Sequence, residues 1–478
     1  MTKAIYDIVV IGSGSGGLTL GLFMAKAGFN VLMVSKSDRD IGGDCLNYGC
    51  VPSKALIYIS HIAHYAKVAS ELGMEVTGNV DIKKATDYIY QRQEIIRKHE
   101  NAQWLQQQGL DLALGDASFS GKKEIEVNGK KYSGKKIIIA TGSKPRKLIV
   151  PGVEDVKYYD NESIFNIEEL PEKLLVVGGG PISMEIAQAM NRLGSRVTVV
   201  QHGNRILKND DATITDILLK QLEKEGIEFI FDAVVDHFVS AKRATVECKD
   251  GSTQEILFDA IFVGIGRELD LKPLQLNKAG IEVENNRIVK NKYLRTTNKN
   301  VFVCGDVAGD LMFSHAAEFH ARILLNNLFS PFKKKLRNDH MSWVTFTDPE
   351  LATFGLNEIQ LKKRKIPYKK LEQDFADDDR AVVDIYRYGK MILFIRKGGW
   401  FKKERILGGT MVAPHAGEIV QELILANTSK LSINDIFNKV YPYPVASRIN
   451  QQIIAKHKEE SLTNTIKKLL QTAFKIFN

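Results

Sequence analysis

Residues 6–34, YDIVVIGSGSGGLTLGLFMAKAGFNVLMV, decide the fold of this chain. A β-branched run ends in a cluster of glycines, a stretch of small and apolar residues follows, and a second apolar run closes the segment at residues 31–34. A strand, a tight turn, a helix and a second strand in this order form a βαβ unit, in which the two strands run parallel.

The glycines of this segment have the spacing that binds a dinucleotide. Gly12, Gly14 and Gly17 satisfy G-x-G-x-x-G directly after a strand and before a helix. The first glycine forms the turn, the second lets the backbone approach a pyrophosphate, and the third lets helix and strand pack closely. Ser35 follows the second strand, where an acid usually binds a ribose hydroxyl, and a serine makes a weaker hydrogen bond than a carboxylate.

A second unit of the same kind occupies residues 174–200. Its loop reads GGGPIS, so that Ser183 replaces the third glycine, and its second strand ends without an acid. The dinucleotide-binding positions predicted here are Gly178, Gly180, Gln201 and Arg205. Arg205 or Lys208 could bind the 2′-phosphate of NADPH, or both could be surface charges, so the choice between NADH and NADPH stays open.

The rest of the chain extends this pattern to an α/β fold with two Rossmann-like dinucleotide-binding domains. Alternating strands and helices favour parallel sheets covered by helices on both faces. From about residue 338 the sequence changes to longer alternating strands and helices, which predicts a separate α+β domain. A length of 478 residues is consistent with about three domains.

The composition narrows the class of protein. Four cysteines are too few for a disulfide scaffold, and we find no apolar run of the roughly 18 residues that a membrane helix needs, so a cytoplasmic location is expected. The net charge of +9 suits two anionic dinucleotides, an acidic partner or a lipid surface. No stripe of arginines and aromatic residues is present, so a nucleic-acid partner is not expected.

Residues 42–54, GGDCLNYGCVPSK, give the strongest chemical signal. Cys45 and Cys50 lie five positions apart at the start of a predicted helix, where they can form a disulfide. The helix N-terminus would stabilise the thiolate that reduction releases. A structural zinc site needs a second pair of ligands at short spacing, and because none follows, no metal is predicted.

In these motifs and in their order, residues 5–455 resemble the pyridine nucleotide-disulfide oxidoreductases, which include glutathione reductase, dihydrolipoamide dehydrogenase and mercuric reductase. The resemblance implies a homodimer in which each active site is completed by the other chain. It implies an FAD-binding domain at 1–150 that continues at 268–337, an NAD(P)H-binding domain at 151–267, a dimerisation domain at 338–457 and a tail at 458–478.

The resemblance also implies roles for single residues. Cys45 would meet the acceptor, Cys50 would make the charge-transfer contact with the flavin, and Lys54 would lie near flavin N5 and pair with Glu185. The ribityl chain of the flavin would bind Asp306. The further cofactor-binding positions that it implies are Gly43, Thr141, Gly142 and Gly266.

Residues 441–448, YPYPVASR, depart from the disulfide-reducing members. Tyr443 replaces the histidine of the family and Arg448 replaces the glutamate that orients it. A histidine with a pKa near 6.5 can exchange a thiol proton at neutral pH, whereas a tyrosine with an ordinary pKa of about 10 is a poor base.

Mercuric reductase also has a tyrosine here, and residues 375–381, FADDDRA, resemble a group of mercuric-reductase-like bacterial proteins. The carboxy-terminal cysteine pair that delivers mercury is absent, so mercury reduction itself is not expected.

These residues predict an FAD-dependent oxidoreductase that passes electrons from NAD(P)H through Cys45 and Cys50 to a small-molecule acceptor. The acceptor could be a disulfide, a quinone or a soft metal ion, with Tyr443 as a further candidate catalytic residue. The alternatives are a dihydrolipoamide dehydrogenase, which the loss of the histidine disfavours, and a membrane-associated electron-transfer or interaction subunit.

The last alternative comes from residues 461–478, SLTNTIKKLLQTAFKIFN. Apolar residues recur at spacings of three and four with lysines off the stripe, which predicts an amphipathic helix capped by Ser461 or Thr463. Such a helix could lie on anionic lipid at the inner face of a membrane, dock a membrane partner, or cover an apolar patch of its own dimer. A helix that covers an apolar patch of its own dimer is the simplest interpretation.

Overall fold

A computed structural model describes residues 5–398 and 403–478 and divides the chain into two compact units. The first contains the described residues up to His202 together with Asp232–Arg337, and the second contains Gly203–Phe231 and the described residues from Asn338 onward. The five segments predicted from the sequence are finer than this division, and their boundaries stay a prediction.

The first sheet of the first unit is built on the strand Ile5–Ile11. This strand pairs in parallel with Val31–Ser35 on one side and with Lys130–Ile139 on the other, placing Val9 opposite Leu32 and Ile137. Its last four residues are apolar and buried, as expected for a central strand covered on both faces. Asp111–Leu114 and Val301–Val303 continue the parallel pairing, and Ala117–Gly121 and Glu124–Val127 complete the seven-stranded sheet as antiparallel strands.

A second sheet repeats this parallel pairing around Lys173–Val177. This strand lies between Arg196–Val200 and Ala260–Val263, and the latter pairs with Tyr158–Tyr159. An antiparallel sheet of Ala233–Ser240, Arg243–Cys248 and Thr253–Leu257 completes this part. Two short ribbons pair Lys144–Pro145 with Arg267–Glu268 and Val283–Glu284 with Arg287–Ile288.

Helices connect the strands of the first unit. Ser15–Lys26 and Pro181–Leu193 each follow the first strand of a parallel pair, as the two glycine motifs predict. The longest helix, Cys50–Glu71, begins at the second cysteine. The other α-helices of this unit are Gly43–Asn47, Ile82–Arg97, Ala102–Gln107 and Ser314–Phe329.

The second unit is an α+β arrangement around an antiparallel sheet. Its strands follow the order Ser342–Thr345, Glu350–Gly355, Arg405–Ala413, Lys390–Arg396 and Lys369–Asp374. A short strand, Glu228–Ile230, also belongs to this unit. Its helices are Ala212–Lys224, Glu358–Lys363, Asp379–Val383, Ala416–Ile419, Gln421–Ser429, Ile433–Phe437, Ile449–Glu460 and Asn464–Phe477. Together with the parallel strand pairs of the two larger sheets in the first unit, this confirms the predicted fold class.

Candidate active site

The first glycine loop has the shape that a pyrophosphate requires. Gly12 has φ of +109°, and a Cβ there would lie 2.2 Å from the carbonyl oxygen of Ala140. A Cβ on Gly17 would lie 2.1 Å from the carbonyl oxygen of Gly12, so only glycine fits at either position. Gly14 and Gly43 face each other, because a Cβ on Gly43 would lie 2.6 Å from the Cα of Gly14. This bare backbone at the N-terminus of Ser15–Lys26 fits the diphosphate of FAD.

Ser35, the predicted ribose contact, is already hydrogen-bonded. Its hydroxyl accepts a hydrogen bond from Ser13 at 2.7 Å and donates to the carbonyl oxygen of Ser37 at 2.9 Å. The one remaining lone pair limits Ser35 to accepting from a ribose hydroxyl.

The second glycine loop has the same geometry. Gly178 has φ of +109°, and a Cβ there would lie 2.6 Å from the carbonyl oxygen of Gly264. Ser183, in the place of the third glycine, is fully buried and donates to that same carbonyl at 3.4 Å, so the small side chain is accommodated. The side-chain oxygen of Gln201 accepts from the backbone N–H of Gly179 at 2.8 Å, which places its amide at the edge of the loop. Gly180 occupies the N-cap of Pro181–Leu193.

Arg205, the predicted 2′-phosphate contact, lies in the second unit. Its guanidinium donates to the carbonyl oxygens of Lys208 at 2.5 Å and Asp210 at 3.0 Å. The side chain therefore braces its own loop in this structure, and its contact with a nicotinamide nucleotide stays a prediction.

The segments that follow the strands Lys130–Ile139 and Ala260–Val263 pair with each other. Thr141 and Gly142 precede Lys144–Pro145, which pairs with Arg267–Glu268, and the carbonyl oxygen of Gly266 accepts from the N–H of Arg146 at 3.0 Å. Gly142 and Gly266 have φ of +69° and +105°, so both turns use conformations that favour glycine.

Asp306 lies in the turn Gly305–Ala308, and Ser143 donates to its carboxylate at 2.6 Å. Burial raises the pKa of this carboxyl. Arg267 contacts the same group with its Nε at 3.8 Å, donates to Ser143 at 2.6 Å and reaches Asp44 at 3.3 Å. Arg267 therefore connects the predicted ribityl contact to the residue before Cys45, a role that the sequence alone did not indicate.

The two active-site cysteines are both reduced and are hydrogen-bonded to each other. Cys45 lies in Gly43–Asn47 and Cys50 begins Cys50–Glu71, with its sulfur 3.3 Å from the hydroxyl of Ser314. The hydrogen bonds from Cys45 and Ser314 and the charge of Lys54 outweigh burial and lower the pKa of Cys50 to about 6. The hydrogen bond to Cys50, together with burial, raises the pKa of Cys45. These shifts favour the thiolate on Cys50 and the proton on Cys45.

The predicted pairing of Lys54 with Glu185 is present. The ammonium of Lys54 lies 2.8 Å from the carboxylate of Glu185 and 3.3 Å from the hydroxyl of Ser53. The side chain of Glu185 is only 5% exposed, against 37% for Lys54. The pair joins Cys50–Glu71 to Pro181–Leu193 and holds a positive charge one helical turn after Cys50.

A buried polar network, which was also not predicted, holds the loop between the cysteines. Gln93 donates to the carbonyl oxygens of Leu46 and Asn47, both at 2.9 Å. Arg97 donates to the side-chain oxygen of Asn47 at 2.6 Å. Both donors project from Ile82–Arg97, and because their partners are backbone and amide groups, no sequence pattern could have indicated them.

Tyr443 lies in the second unit beside the acidic motif at residues 375–381. Its hydroxyl donates to Asp379 at 3.1 Å, which raises the pKa of the tyrosine. Arg448 lies 4.0 Å from Asp379, and its guanidinium is 5.4 Å from the centroid of the tyrosine ring. Asp379 thus contacts both Tyr443 and Arg448, an arrangement that was not predicted.

Comparisons with known proteins agree with this geometry. The family model described as pyridine nucleotide-disulphide oxidoreductase matches residues 6–321, and the dimerisation domain of the same family matches residues 341–453. The chain is 32% identical over 464 residues to a dihydrolipoyl dehydrogenase of Thermus scotoductus, covering 95% of this chain and 98% of that protein. It is 30% identical over 446 residues to a mercuric reductase of Lysinibacillus sphaericus, covering 92% of this chain and 80% of that protein.

Among solved structures, the HOCl-induced flavoprotein disulfide reductase RclA of Escherichia coli matches with a TM-score of 0.82 and 25% identity, covering 94% of this chain and 99% of that one. The matched dimerisation domain supports a homodimer. The chain therefore belongs to the pyridine nucleotide-disulphide oxidoreductase family and is a flavin-dependent enzyme of that family, whose cofactors are FAD and NAD(P)H.

Proposed function

We propose that this enzyme transfers electrons from NAD(P)H to a thiophilic acceptor at Cys45 and Cys50, and that the acceptor is a soft metal cation rather than a disulfide. The observation that carries the proposal is that Tyr443, hydrogen-bonded to Asp379, stands in the place of the histidine that serves the disulfide-reducing members as a base. The mutual hydrogen bond of the cysteines also lowers the pKa of Cys50 and raises that of Cys45. Bound FAD would supply the two-electron link between the nicotinamide and the cysteine disulfide.

The residues around the pair would prepare it for this reaction. The hydroxyl of Ser314 and the ammonium of Lys54 stabilise the Cys50 thiolate, and the buried carboxylate of Glu185 holds Lys54 in place. Asp306, braced by Ser143, would bind the ribityl chain of the flavin. The glycines, Ser35 and Gln201 would hold the two dinucleotides by their backbone and amide groups.

The choice of a cation follows from the proton on Cys45. A disulfide is attacked by a thiolate, so Cys45 would first have to lose its proton to a base. By family resemblance that base would be Tyr443 of the partner subunit, and the hydrogen bond to Asp379 raises the pKa of Tyr443 further. A bound soft cation instead drives deprotonation of the thiol itself, because the metal binds the thiolate and not the thiol.

For a one-electron acceptor such as Cu²⁺ the reaction balances with two metal ions. The thiol and the thiolate are oxidised to the disulfide, two Cu²⁺ are reduced to two Cu⁺, and the Cys45 proton is released to solvent. Thiolates also favour the reduced ion, because Cu⁺ prefers soft sulfur ligands.

The proposal is tested by anaerobic steady-state oxidation of NADPH and NADH with three acceptors: Cu²⁺, lipoamide and menadione. We expect Cu²⁺ turnover to exceed lipoamide turnover at least about tenfold, and Cys45→Ser to remove it. Cys248→Ser, which changes a cysteine on the strand Arg243–Cys248, is the matched control and should leave turnover unchanged. Menadione turnover that survives Cys45→Ser would show a quinone reaction that bypasses the pair, and lipoamide turnover equal to that with Cu²⁺ would overturn the preference for a cation.

A further inference from the structure

The carboxy-terminal helix Asn464–Phe477 is a separate amphipathic element. None of its residues is buried, and Thr463 caps it by accepting from the N–H of Ile466. Its large apolar side chains are well exposed, with Leu469 at 65%, Phe474 at 69% and Phe477 at 82%. Side chains of this size are normally buried, so a helix with this much exposed apolar surface is suited to a binding partner.

The residues of this helix separate completely into two faces. At about 100° per residue, all the apolar side chains fall within one arc of roughly 160°. They are Ile466, Leu469, Leu470, Ala473, Phe474, Ile476 and Phe477. The opposite arc holds only polar and basic residues, namely Asn464, Thr465, Lys467, Lys468, Gln471, Thr472 and Lys475.

The charge of the helix identifies the kind of partner. Residues 464–477 contain three lysines and no aspartate or glutamate, so the polar face is purely cationic. A helix of this length, about 21 Å, can lie in the headgroup layer with its apolar face in the acyl region and its lysines on the anionic lipids. None of the described helices combines the length and apolar content that crossing a bilayer requires. We propose that Asn464–Phe477 binds this enzyme to the surface of an anionic membrane.

A second copy of the chain is the alternative occupant, and two observations disfavour it. The matched dimerisation domain ends at residue 453, before this helix begins. Pairing of the apolar face with a second copy leaves the three lysines of the opposite face in solvent, and residues 464–477 supply no acidic residue to pair with them. Anionic lipid neutralises the same charges.

The test is co-sedimentation of the full-length holoenzyme with vesicles of equal parts phosphatidylglycerol and phosphatidylcholine, and with vesicles of phosphatidylcholine alone. We expect binding to the anionic vesicles that weakens with added salt, and little binding to the neutral ones. Leu469→Gln with Phe474→Gln should lower partitioning on the order of 100-fold, because both side chains leave the acyl region. Changing any one lysine of the polar face to glutamine should lower partitioning onto the anionic vesicles roughly fivefold.

The matched control is Ile149→Gln with Phe332→Gln, which removes two apolar side chains elsewhere that are even more exposed. This control should bind vesicles like the native chain, and both double variants should keep native NADPH oxidation. Equal pelleting of the native chain and the helix variant would overturn the proposal. It would also fail if the helix variant dissociated the dimer in sedimentation velocity without vesicles, because the helix would then cover a second copy. Neither result bears on the acceptor, so this proposal stands or falls independently of the proposed reaction.

Discussion

The chemistry of the site depends on where one proton lies between two sulfurs. The family resemblance was enough to predict the pairing of Lys54 with Glu185, and the roles that it implies for Cys45 and Cys50 stay predictions. It did not predict the contact of the Ser314 hydroxyl with Cys50, because the two residues are 264 positions apart and meet only through the fold. The same contact helps to decide which sulfur is the thiolate, so it is the natural place to test the site.

Replacing Ser314 by alanine should raise the pKa of Cys50. With the pKa lowered to about 6, the rate of alkylation of the reduced enzyme by iodoacetamide should rise through pH 6 and level off near pH 7. Ser314→Ala should move this midpoint to higher pH because a hydrogen bond to the thiolate is lost, and Ser314→Thr should restore it. Lys54→Met should move it in the same direction by less, since its charge acts without a direct hydrogen bond. An unchanged midpoint in Ser314→Ala would show that Ser314 does not stabilise the thiolate.

Removing the charge of Lys54 should also destabilise the first unit. Glu185 is buried, and the loss of its partner at 2.8 Å leaves a carboxylate in a poorly solvated place. Lys54→Met should therefore lower the free energy of unfolding in urea by about 2 kcal/mol, reduced from the value for a fully buried pair by the exposure of Lys54. Lys54→Arg, which keeps the charge, should retain most of the free energy of unfolding that Lys54→Met loses. Equal losses in the two variants would mean that packing of the side chain, and not the ion pair, accounts for the stability.

At the level of secondary structure elements, the cofactor sites depend on how closely a turn can approach a strand. The local pattern predicted both βαβ turns, since the glycine spacing and the flanking apolar runs lie within about 30 residues of each other. The turn at Gly305–Ala308 was predicted only in part. His320 accepts from the N–H of Gly305 at 3.2 Å and so holds this turn from the helix Ser314–Phe329, a contact that the sequence did not indicate.

Gly12→Ala should remove FAD binding and cost more than about 3 kcal/mol of stability. The added Cβ would meet the carbonyl oxygen of Ala140 at 2.2 Å and would also occupy a left-handed backbone conformation. Gly28 is the matched control, because it has φ of +85° but a Cβ added there would have no atom within 4 Å, so Gly28→Ala should cost only about 1–2 kcal/mol. Flavin content and urea unfolding measure both effects. Retention of FAD by Gly12→Ala would contradict the assigned role of the loop.

His320 should make stability depend on pH. Burial lowers the pKa of this histidine to about 4, below its ordinary value of 6.5. Between these two pH values the side chain binds a proton in the unfolded state but stays neutral in the folded state. The stabilisation is complete above pH 6.5 and is lost as the pH falls from there towards 4, by roughly 1.4 kcal/mol per pH unit. His320→Gln can still accept from Gly305 but does not titrate, so its unfolding free energy should fall less over this range. Parallel curves for the two proteins would contradict this origin of the dependence.

For the molecule as a whole, sequence reasoning succeeded where the signal was local and was incomplete where it was tertiary. The two βαβ units, the separate α+β unit and the final helix were predicted, because each is set by a short period of apolar residues. Arg267 was missed because its partners Asp44 and Asp306 come from distant segments, and Asp379 was not linked to Tyr443 because 64 residues separate them. The pairing of Tyr443 with Asp379 and the cationic tail helix are the features in which we expect the acceptor and the location of this enzyme to be decided.

The most direct test of the central claim is anaerobic rapid mixing of the two-electron-reduced enzyme with one acceptor at a time. The absorbance of the contact between flavin and the Cys50 thiolate reports whether the reduced pair persists. We predict that the band is stable with lipoamide and is lost within the mixing experiment on addition of two equivalents of Cu²⁺, with formation of two Cu⁺. Rapid loss of the band with lipoamide would show that Tyr443 suffices as the proton acceptor and that a disulfide is the substrate, which would contradict the account.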